Sequence, residues 1–418
     1  MNDDPNDRLS VWNERRQVGW LWRDRTGVLG FRYDSEWVEA GFAISRLLPL
    51  RHDPFLPDAG LAHNFFANLL PEGGARQAIV RDLKIADSDF ELLRAIGGEC
   101  AGALSLLPFG EAPSGEKSYA ALSLTELTHL VKSRGHIYAT FSPPVRPRLS
   151  LAGAQDKTAL LVREGRYFLP QGEAPSSHIL KFELARYRHV PAYEVFTTML
   201  ARAASLPVVE ADLVEISGHS CSLTKRYDRH ADAGGEIQRL HQEDFCQALG
   251  YPSGKKYQDS GGPSFEDCFA MVRGASSEPA TDARNLLRWQ VFNVLAGNSD
   301  GHAKNLSILH LDRGAMRLAP FYDLVCTRGI DRIDPRLAFG VGGERDPGRI
   351  GPAQWDRLAV GCDIREQYLR QLVKEVATFL LDRLRPTMDS FEELFGSYPA
   401  LQRVEKVVRK QCQRAGSS

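Results

Sequence analysis

Three things are scarce or missing in this chain, and each narrows what the protein can be. Its seven cysteines are scattered and form no CxxC pair, so neither a zinc site nor a disulfide framework is indicated and reduced thiols are expected. The 52 Lys and Arg residues almost balance the 53 Asp and Glu residues, which argues against a general electrostatic attraction to nucleic acid or membrane. No apolar run approaches the length of a membrane span, and the opening residues lack the apolar core of a signal peptide. These absences predict a cytoplasmic protein.

What is present predicts several domains. The chain has 418 residues, of which 43% are hydrophobic, enough for two or three domains with cores of their own. Strand-like runs dominate its first half and helical patterns dominate the rest. A polar segment rich in Gly, Pro and Ser, at 109–117, marks the first boundary. We predict an α+β chain with an N-terminal domain at 1–108, a small lobe at 109–238 and a mostly helical lobe at 239–418, with a nucleotide cleft between the lobes.

Local patterns refine this layout. Alternating apolar residues predict strands at 18–22 and 28–33, and a further short strand at 37–38. A glycine-rich stretch at 337–343 is also predicted as a strand. Together these patterns predict a small antiparallel sheet near the N-terminus and one strand among the later helices.

The stretch from Leu295 to Asp323 carries the clearest chemical pattern. A helical run ends at Gly297, and a polar loop follows before two short apolar runs that lead to Asp323. Asp300 and Asn305 in that loop have four residues between them. This is the spacing of the protein-kinase catalytic loop, in which the Asp accepts the proton of the substrate hydroxyl and the Asn holds magnesium. Asp323 would supply a second magnesium ligand, so the pattern favours phosphoryl transfer.

The same residue types also fit structures and reactions of a different kind. Asp300 could form an Asx turn, and Asn305 could cap the entry to a strand. A metal-hydrolase cluster of Asp300, His302 and Asp323 is a further alternative. In a kinase loop, His302 and Lys304 could contact the γ-phosphate or the substrate. The loop alone therefore leaves the reaction open between these classes.

A second stretch, SLAGAQDK at 150–157, suits a loop that covers phosphates. Small residues let backbone N–H groups approach phosphate oxygens, and the lysine adds positive charge. The loop has a single glycine and is not a GxGxxG motif, so an ordinary small-residue turn is the alternative. The predicted nucleotide-binding residues of this loop are Ala152, Gly153, Ala154, Gln155, Asp156 and Lys157.

Lys181 is the next candidate, because it interrupts the apolar run 179–182, where a buried lysine needs a partner or water. We predict that it binds the α- and β-phosphates, with Glu194 on the following helix as its partner. The alternative is a solvent-facing lysine on an edge strand. Lys225 and Tyr227 would form the hinge that binds adenine, unless Lys225 belongs to a solvated charged run.

With these residues laid out, the chain resembles the HipA family of bacterial serine/threonine kinase toxins over nearly its whole length. The matching motifs, in chain order, are Asn68–Pro71, Gly97–Pro108, Ser150–Leu160, His178–Lys181, Arg239–Gly250, Gly297–Ser307 and Leu318–Asp323. Several independent motifs in the right order are far more specific than the spacing of Asp300 and Asn305 alone. One departure is Lys225, which stands where the best-known pattern has an acidic residue.

The resemblance implies an ATP- and Mg²⁺-dependent kinase with a two-lobed, protein-kinase-like fold that is more closely phosphoinositide-kinase-like. Asp300 would be the catalytic base, Asn305 and Asp323 the magnesium ligands, and Lys181 the phosphate-binding lysine. Ser150 matches the serine that this family autophosphorylates, a modification that switches the kinase off.

The resemblance also implies partners. The toxins of this family are held by a small HipB-like helix-turn-helix antitoxin that binds operator DNA. Their known targets include aminoacyl-tRNA synthetases, notably glutamyl-tRNA synthetase. We therefore expect a protein substrate, DNA contact only through the antitoxin, an N-terminal domain at 1–108 that is free to dock the antitoxin, and no membrane partner. Two other functions stay open: a kinase of small molecules or lipids with the same fold, and a catalytically silent co-repressor.

Overall fold

The structure, a computed structural model, describes residues 5–141, 148–153, 155–184 and 186–416. The chain divides into two compact units, each assembled from segments that are distant in sequence. Unit 1 comprises Met1–Phe182, Lys225–Gly254 and Ser307–Ala315; unit 2 comprises Glu183–Thr224, Lys255–Leu306 and Met316–Ser418. The three-part division predicted from the sequence is a different partition, and it stays a prediction.

Helices and strands both occur throughout the described residues, which confirms the α+β class. The helices are α1 (Ser35–Ala40), α2 (Leu61–Ala67), α3 (Gly73–Leu83), α4 (Asp89–Ile96), α5 (Leu124–Lys132), α6 (Ile137–Thr140), α7 (Val190–Ala203), α8 (Phe245–Leu249), α9 (Phe265–Ala275), α10 (Pro279–Ala296), α11 (Pro352–Gly361), α12 (Glu366–Phe395) and α13 (Leu401–Gly416). The strands are β1 (Arg8–Asn13), β2 (Arg16–Arg23), β3 (Leu29–Tyr33), β4 (Leu104–Pro108), β5 (Lys117–Ala121), β6 (Lys157–Arg163), β7 (Arg166–Gly172), β8 (His178–Lys181), β9 (Ala211–Ile216), β10 (His219–Lys225), β11 (Arg229–Ala231), β12 (Ile237–Arg239), β13 (His241–Asp244), β14 (Ser307–His310) and β15 (Met316–Leu318).

The N-terminal part of unit 1 is an antiparallel sheet with the strand order β3-β2-β1-β4. Its core combines aliphatic and aromatic side chains, and the ring centroids of Phe31 and Phe66 lie 5.3 Å apart. The strand predicted at 37–38 is wrong, because these residues lie in α1. The Asp34 side chain accepts a hydrogen bond from the Glu36 N–H and so caps a helix, which still delivers Trp37 to the core.

A second antiparallel sheet of unit 1 carries the phosphate-binding candidates. Strands β5, β7, β6 and β8 are hydrogen-bonded in that order. In the β6–β8 register Lys157 lies opposite Lys181, so the two lysines stand at the same end of the sheet. Lys181 is the last residue of β8 and is only 7% exposed. It is therefore buried rather than turned to solvent.

Unit 2 is mostly helical, and α10 runs through its core. Trp289 on this helix stacks on Phe321, with ring centroids 5.9 Å apart, and meets Phe339 edge-on at 6.1 Å. These contacts fix the segment just before Asp323 against α10. Strands β9 and β10 form the antiparallel hairpin of this unit.

The glycine-rich stretch at 337–343 is not the strand that its sequence predicts. It contributes an isolated bridge between Val341 and Glu344. Gly342 and Gly343 have positive φ angles of 53° and 84°, a conformation that glycine adopts readily, so the backbone turns here instead of extending.

The seven cysteines are all unpaired and buried, in keeping with the absence of a disulfide framework. Across the part of the chain that the structure describes, no helix combines the length and the apolar character needed to cross a bilayer.

Candidate active site

The predicted site residues form two sets, one in each unit. The set in unit 2 is Asp300, His302, Lys304, Asn305 and Asp323. The set in unit 1 is Ser150, Ala152, Gly153, Gln155, Asp156, Lys157, Lys181, Lys225 and Tyr227. Ala154 lies outside the described residues.

The catalytic loop of unit 2 begins where α10 ends. Gly297 caps the helix with a left-handed backbone (φ 77°), and a Cβ at this position would meet Val407 at 2.5 Å, so glycine is required. Asn298 Nδ2 donates to Asn293 Oδ1 at 3.0 Å, and Asn298 Oδ1 accepts the N–H of Asp300 at 3.2 Å. Side-chain hydrogen bonds therefore fix the loop to the last turn of the helix.

A second set of contacts holds the loop at Ser299. Its N–H donates to Thr327 Oγ1 at 2.8 Å, and its hydroxyl donates to Pro335 O at 2.8 Å. At Gly301 the backbone packs so closely on α10 that a Cβ would lie 2.7 Å from a side-chain nitrogen of that helix. The loop thus follows one packed path, with the Asp300 side chain exposed at its turn.

Tyr257 orients the carboxylate of Asp300. The tyrosine hydroxyl donates to Asp300 Oδ1 at 2.9 Å, and the His302 ring meets the Tyr257 ring edge-on at 5.1 Å. An exposed carboxylate held in this way can accept a proton from an approaching hydroxyl, which is the task of a general base. Asn298 makes an Asx-type bond in this loop, since its Oδ1 accepts the N–H of Asp300 two residues on.

Asn305 joins the loop to Asp323. Its Nδ2 donates to Asp300 O at 3.3 Å and lies 3.5 Å from Asp323 Oδ2. Asp323 has a left-handed backbone (φ 58°), which is uncommon outside glycine and recurs where structure constrains functional residues. An amide and a carboxylate this close supply the hard oxygen ligands that Mg²⁺ prefers. The two residues present therefore fit a divalent cation.

The metal-hydrolase alternative finds no support here. The described residues contain no group of three or more His, Cys, Asp and Glu side chains placed to hold a metal ion, so Asp300, His302 and Asp323 do not form such a cluster. His302 and Lys304 are buried, and the Tyr322 hydroxyl donates to Lys304 O at 2.9 Å. Both residues belong to the packed base of the loop, and their contacts with phosphate stay a prediction.

The phosphate loop of unit 1 lies along the N-terminal part of the chain. Gly153 forms a parallel bridge with Pro71, and its carbonyl accepts the N–H of Glu72 at 3.0 Å. A Cβ at Gly153, whose φ is 109°, would lie 2.9 Å from Lys157 Nζ. The missing side chain therefore lets the ammonium group approach the loop backbone, where a phosphate-binding lysine is needed.

Gln155 and Asp156 lead the loop into β6. Gln155 Nε2 donates to Phe182 O at 3.3 Å, and the Phe182 N–H donates to Asp156 O at 3.4 Å. Burial raises the pKa of the Asp156 carboxyl, while the charges of His136 and Arg134 act in the opposite direction. These bonds tie the end of the loop to the end of β8.

Ser150 opens the loop and is completely buried. Its hydroxyl donates to Leu69 O at 2.7 Å, and its N–H donates to Glu99 O at 2.9 Å. Both acceptors belong to the first 108 residues. In this arrangement the hydroxyl is enclosed and a second protein cannot reach it.

The predicted hinge alternates between exposed and buried residues. Lys225 is exposed, and the half-buried Tyr227 makes a hydrogen bond from its hydroxyl to the side chain of Gln242. Arg226 between them is buried and donates twice to the Asp228 carboxylate, at 2.9 and 2.8 Å. Arg226 and Asp228, both buried and charged, therefore hold the hinge in place. The nucleotide contacts of Lys225 and Tyr227 stay a prediction.

Sequence reasoning missed the residues that hold the site from a distance. Tyr257 lies 43 positions before the aspartate that it orients. The residues that hold the phosphate loop lie in the N-terminal motifs Asn68–Pro71 and Gly97–Pro108 or directly beside them. Those motifs carried the family resemblance, but no spacing rule connects them with the loop that they hold.

Comparison with known proteins identifies the family of this chain. Residues 149–383 match the model of the HipA-like C-terminal domain, and residues 9–107 match that of the HipA N-terminal domain. Y4mE of Sinorhizobium fredii, a protein named as a kinase, is 36% identical over 398 residues, which span 92% of this chain and 93% of that protein. The serine/threonine-protein kinase toxin HipA of Shewanella oneidensis is 28% identical over 408 residues, 90% of each chain.

A solved structure is similar across the whole chain. It is the complex of the Shewanella oneidensis toxin–antitoxin proteins HipA and HipB with operator DNA. The matching chain has a TM-score of 0.83 and 25% identity, and the match covers 98% of this chain and 97% of that one. The family models, the relatives and the fold agree: this chain belongs to the HipA family and is a protein kinase with the α+β, kinase-like fold of that family.

Proposed function

We propose that this chain is the toxin of a toxin–antitoxin pair and uses ATP and Mg²⁺ to phosphorylate serine or threonine residues of a cytosolic protein. One observation carries the proposal: Asn305 donates to Asp300 O and lies 3.5 Å from Asp323 Oδ2. Asn305 in the catalytic loop thus contacts both the backbone of the predicted base and the side chain of the second predicted metal ligand. Kinases in general use ATP with a divalent metal, and both sets of site residues suit those ligands.

Each residue has a distinct role in this proposal. Asp300, oriented by Tyr257, accepts the proton of the substrate hydroxyl. Asn305 and Asp323 hold the cation, which neutralises phosphate charge when bound. Lys157 and Lys181, neighbours in the β6–β8 register, bind phosphate oxygens from unit 1. The loop residues before Lys157 cover the phosphates, and the hinge at Lys225 and Tyr227 binds the base.

Ser150 is the proposed site of autophosphorylation. Because its hydroxyl is buried against Leu69 O, it can be modified only after the segment moves outward, which favours a second copy of the kinase as the donor. A phosphate carries a charge of about −1.5 to −2 at neutral pH. That charge cannot return to the enclosed position without a partner, so modification would keep the loop out and switch the kinase off.

The proposed partner is a HipB-like helix-turn-helix antitoxin, as in the similar complex from Shewanella oneidensis. The nearly balanced charge of this chain, −1 overall, does not favour tight binding to DNA alone, so operator DNA would be reached through the antitoxin. The first 108 residues contribute none of the predicted catalytic side chains and are the proposed docking region. The proposed target is an aminoacyl-tRNA synthetase, such as glutamyl-tRNA synthetase.

Incubation with γ-labelled ATP and cytosolic protein, with and without Mg²⁺, tests the proposal. We expect label on a protein band only when Mg²⁺ is present, and on purified glutamyl-tRNA synthetase if that is the target. Asp300→Asn should lose the label. Asp312→Asn, which changes an exposed acid outside the catalytic loop, is the matched control and should keep it.

The same experiment separates the alternatives. Label that appears only in small molecules or lipids would favour the small-substrate kinase. No labelled product at all, with the chain folded, would favour the silent co-repressor. Gel shifts on the operator of its own operon, with and without the neighbouring antitoxin, test the partner: a strong sequence-specific shift by this chain alone would contradict the indirect contact.

A further inference from the structure

Unit 1 buries a group of four charged side chains and one serine that the proposed chemistry does not use. Its members, which we call the Glu99 cluster, are Glu99, Ser176, Arg226, Asp228 and Arg229. None is more than 6% exposed. They come from three separate stretches of the chain, so the cluster joins segments that are far apart in sequence.

Glu99 is the centre of this cluster. Its Oε1 accepts hydrogen bonds from the N–H and the hydroxyl of Ser176, both at 2.8 Å. The same oxygen accepts from Arg226 Nη1 at 3.3 Å and from Arg229 Nη2 at 3.2 Å. The two guanidinium groups also share the Asp228 carboxylate, at 2.8 and 3.0 Å. Two acids and two arginines, whose formal charges balance, therefore form one connected network.

The network is not arranged for maximum stability. Burial raises the pKa of the Glu99 carboxyl, but the nearby arginine charges outweigh it, so the pKa lies below its usual value and the group stays ionised. Glu99 Oε2 and Arg229 Nε are buried without a hydrogen-bond partner in the described protein. Buried ion pairs seldom stabilise a fold more than apolar packing would, and unsatisfied atoms make them worse. A role in positioning accounts for such a cluster better than a role in stability.

Three elements of the proposed nucleotide site meet at Glu99. Its carbonyl accepts the N–H of Ser150, where the phosphate loop begins. Its carboxylate holds Ser176, just before β8, the strand that ends in Lys181. Through Arg226 it reaches the hinge, because Arg226 is the residue before Tyr227.

Two further hydrogen bonds from the N-terminal part of the chain also hold the phosphate loop. Leu69 O accepts the Ser150 hydroxyl, and the Glu72 N–H donates to Gly153 O. Leu69, Glu72 and Glu99 all lie in the segment that matches the HipA N-terminal domain, residues 9–107. That segment therefore holds the phosphate loop at both its first residue and its glycine.

We propose that Glu99 is a positioning residue that holds the phosphate loop, the Lys181 strand and the hinge in one arrangement, so that the N-terminal domain completes the ATP-binding surface of unit 1. The proposal rests on the proposed function for the roles of Lys181, Tyr227 and the loop. It goes beyond that function by assigning the N-terminal domain a direct part in nucleotide binding, in addition to docking a partner.

The test compares wild-type protein with Glu99→Gln, which removes one charge and keeps the shape. Asn64→Ala is the matched control, because Asn64 Nδ2 also ties the N-terminal region to a distant segment, at Gly250 O (2.8 Å), by a bond outside the Glu99 cluster. Hydrogen exchange should become at least about tenfold faster at the amide of Ser150 and along β8 in Glu99→Gln, and stay unchanged in the catalytic loop of unit 2. The control should leave the amide of Ser150 unchanged.

Kinetics provide the second readout. In Glu99→Gln the KM for ATP should rise about tenfold while kcat changes less than about twofold, because the catalytic residues are untouched. A general loss of folding would instead lower the active fraction and leave KM unchanged. If Glu99→Gln does not fold, Ser176→Ala, which removes one bond to Glu99 Oε1 and one to Arg226, should show the same pattern more weakly.

The outcomes separate the two proposals. Unchanged exchange at Ser150 and β8 in a folded Glu99→Gln protein overturns the positioning role, whatever the activity. Faster exchange in a chain whose wild-type form does not bind ATP keeps the coupling of the three segments but removes the proposed function. A fall in kcat with an unchanged KM, in protein whose folded, active fraction equals that of the wild type, would place Glu99 in the catalytic step and also contradict the proposal.

Discussion

The two loops that carry the candidate chemistry are held in different ways. The catalytic loop at 298–305 is fixed by neighbours nearer in sequence, such as Asn293 on the preceding helix and Thr327, which lie 5 and 28 positions from their partners in the loop. The phosphate loop at 150–157 is fixed by the N-terminal region, through partners 81 positions away at Leu69 and about as far at Glu72. The first loop is therefore self-contained, whereas the second depends on a separate part of the chain. Because the N-terminal region holds the phosphate loop, a change in that region can release the loop, which suits the proposed regulation at Ser150.

The largest effect is expected when the catalytic loop loses its proposed base, Asp300. Asp300→Asn keeps the shape and the hydrogen bond to Tyr257 but cannot accept a proton, so kcat should fall by about 10²–10⁴. The affinity for Mg²⁺ and ATP should change little, since the proposed metal ligands are Asn305 and Asp323. Steady-state kinetics and ATP titration measure the two effects separately.

Asp323→Asn provides the contrast, because it should weaken Mg²⁺-dependent ATP binding as well as turnover. Near wild-type turnover by Asp300→Asn would show that the base has been assigned to the wrong residue. Equal loss of ATP affinity in both variants would mean that the loop had been disturbed as a whole.

Releasing the phosphate loop should have the next largest effect, a loss of ATP affinity. Ser150→Glu places a carboxylate where the hydroxyl is enclosed and faces Leu69 O, and an unpaired charge is not tolerated there. The segment should leave its position, and ATP affinity should fall by about 10–10², the scale expected when one or two phosphate contacts are lost at about 1.4 kcal/mol per tenfold change. Isothermal titration with Mg²⁺ and ATP measures it.

Ser150→Ala is the control for that change. It removes one hydrogen bond, worth about 1 kcal/mol in stability, and introduces no charge. It should retain ATP binding and resist autophosphorylation. Retained ATP affinity in Ser150→Glu would contradict the idea that this position governs the loop.

The same contrast shows what the sequence could predict. Asp300 and Asn305 could be proposed from the sequence because only four residues separate them within one loop, and such a short spacing can be read without knowing the fold. The pairing of Glu99 with Arg226 could not be found, since it joins residues 127 positions apart and depends on the packing of three segments. At Trp37 a local contact made the prediction wrong, because the aspartate at position 34 caps a helix in a run of residues that the sequence pattern predicted as a strand. The α+β class was thus predictable, and the site residues could be proposed, but the contacts that support them could not be predicted.

Lowering the pH should destabilise unit 1 at His241, whose buried ring makes a hydrogen bond to Ile44 O in the N-terminal part of the chain. Burial lowers the pKa of His241 from 6.5 to about 3, helped by the neighbouring His310 ring at 4.8 Å and opposed by the hydrogen bond to Ile44 O and by the charge of Asp228. The unfolded chain takes up a proton below pH 6.5 while the folded chain does not, so stability falls as the pH drops from 6.5 toward 3. At pH 5 the loss is about 2 kcal/mol, at 1.36 kcal/mol per pH unit.

Urea unfolding at pH 6.5 and pH 5 measures this loss. His241→Gln is the matched variant, because its amide nitrogen can still donate toward Ile44 O but does not titrate. It should be less stable than wild type at pH 6.5 and show a smaller drop between the two pH values. An equal drop in both proteins would assign the acid sensitivity to other groups.

The smallest expected effect concerns Tyr257, which orients the base from outside the catalytic loop. Tyr257→Phe removes the hydroxyl that donates to Asp300 Oδ1 at 2.9 Å but keeps the ring that packs on His302. Because Asp300 is exposed, water can replace the lost donor, and the net cost should be near the lower end of the 0.5–1.5 kcal/mol typical of one hydrogen bond, a fall of roughly two- to fivefold in kcat. Tyr322→Phe is the matched control, since its hydroxyl donates to the backbone at Lys304 and not to the base. A fall in kcat of about a hundredfold in Tyr257→Phe would make this tyrosine part of the catalytic machinery, and the catalytic loop would then be no more self-contained than the phosphate loop.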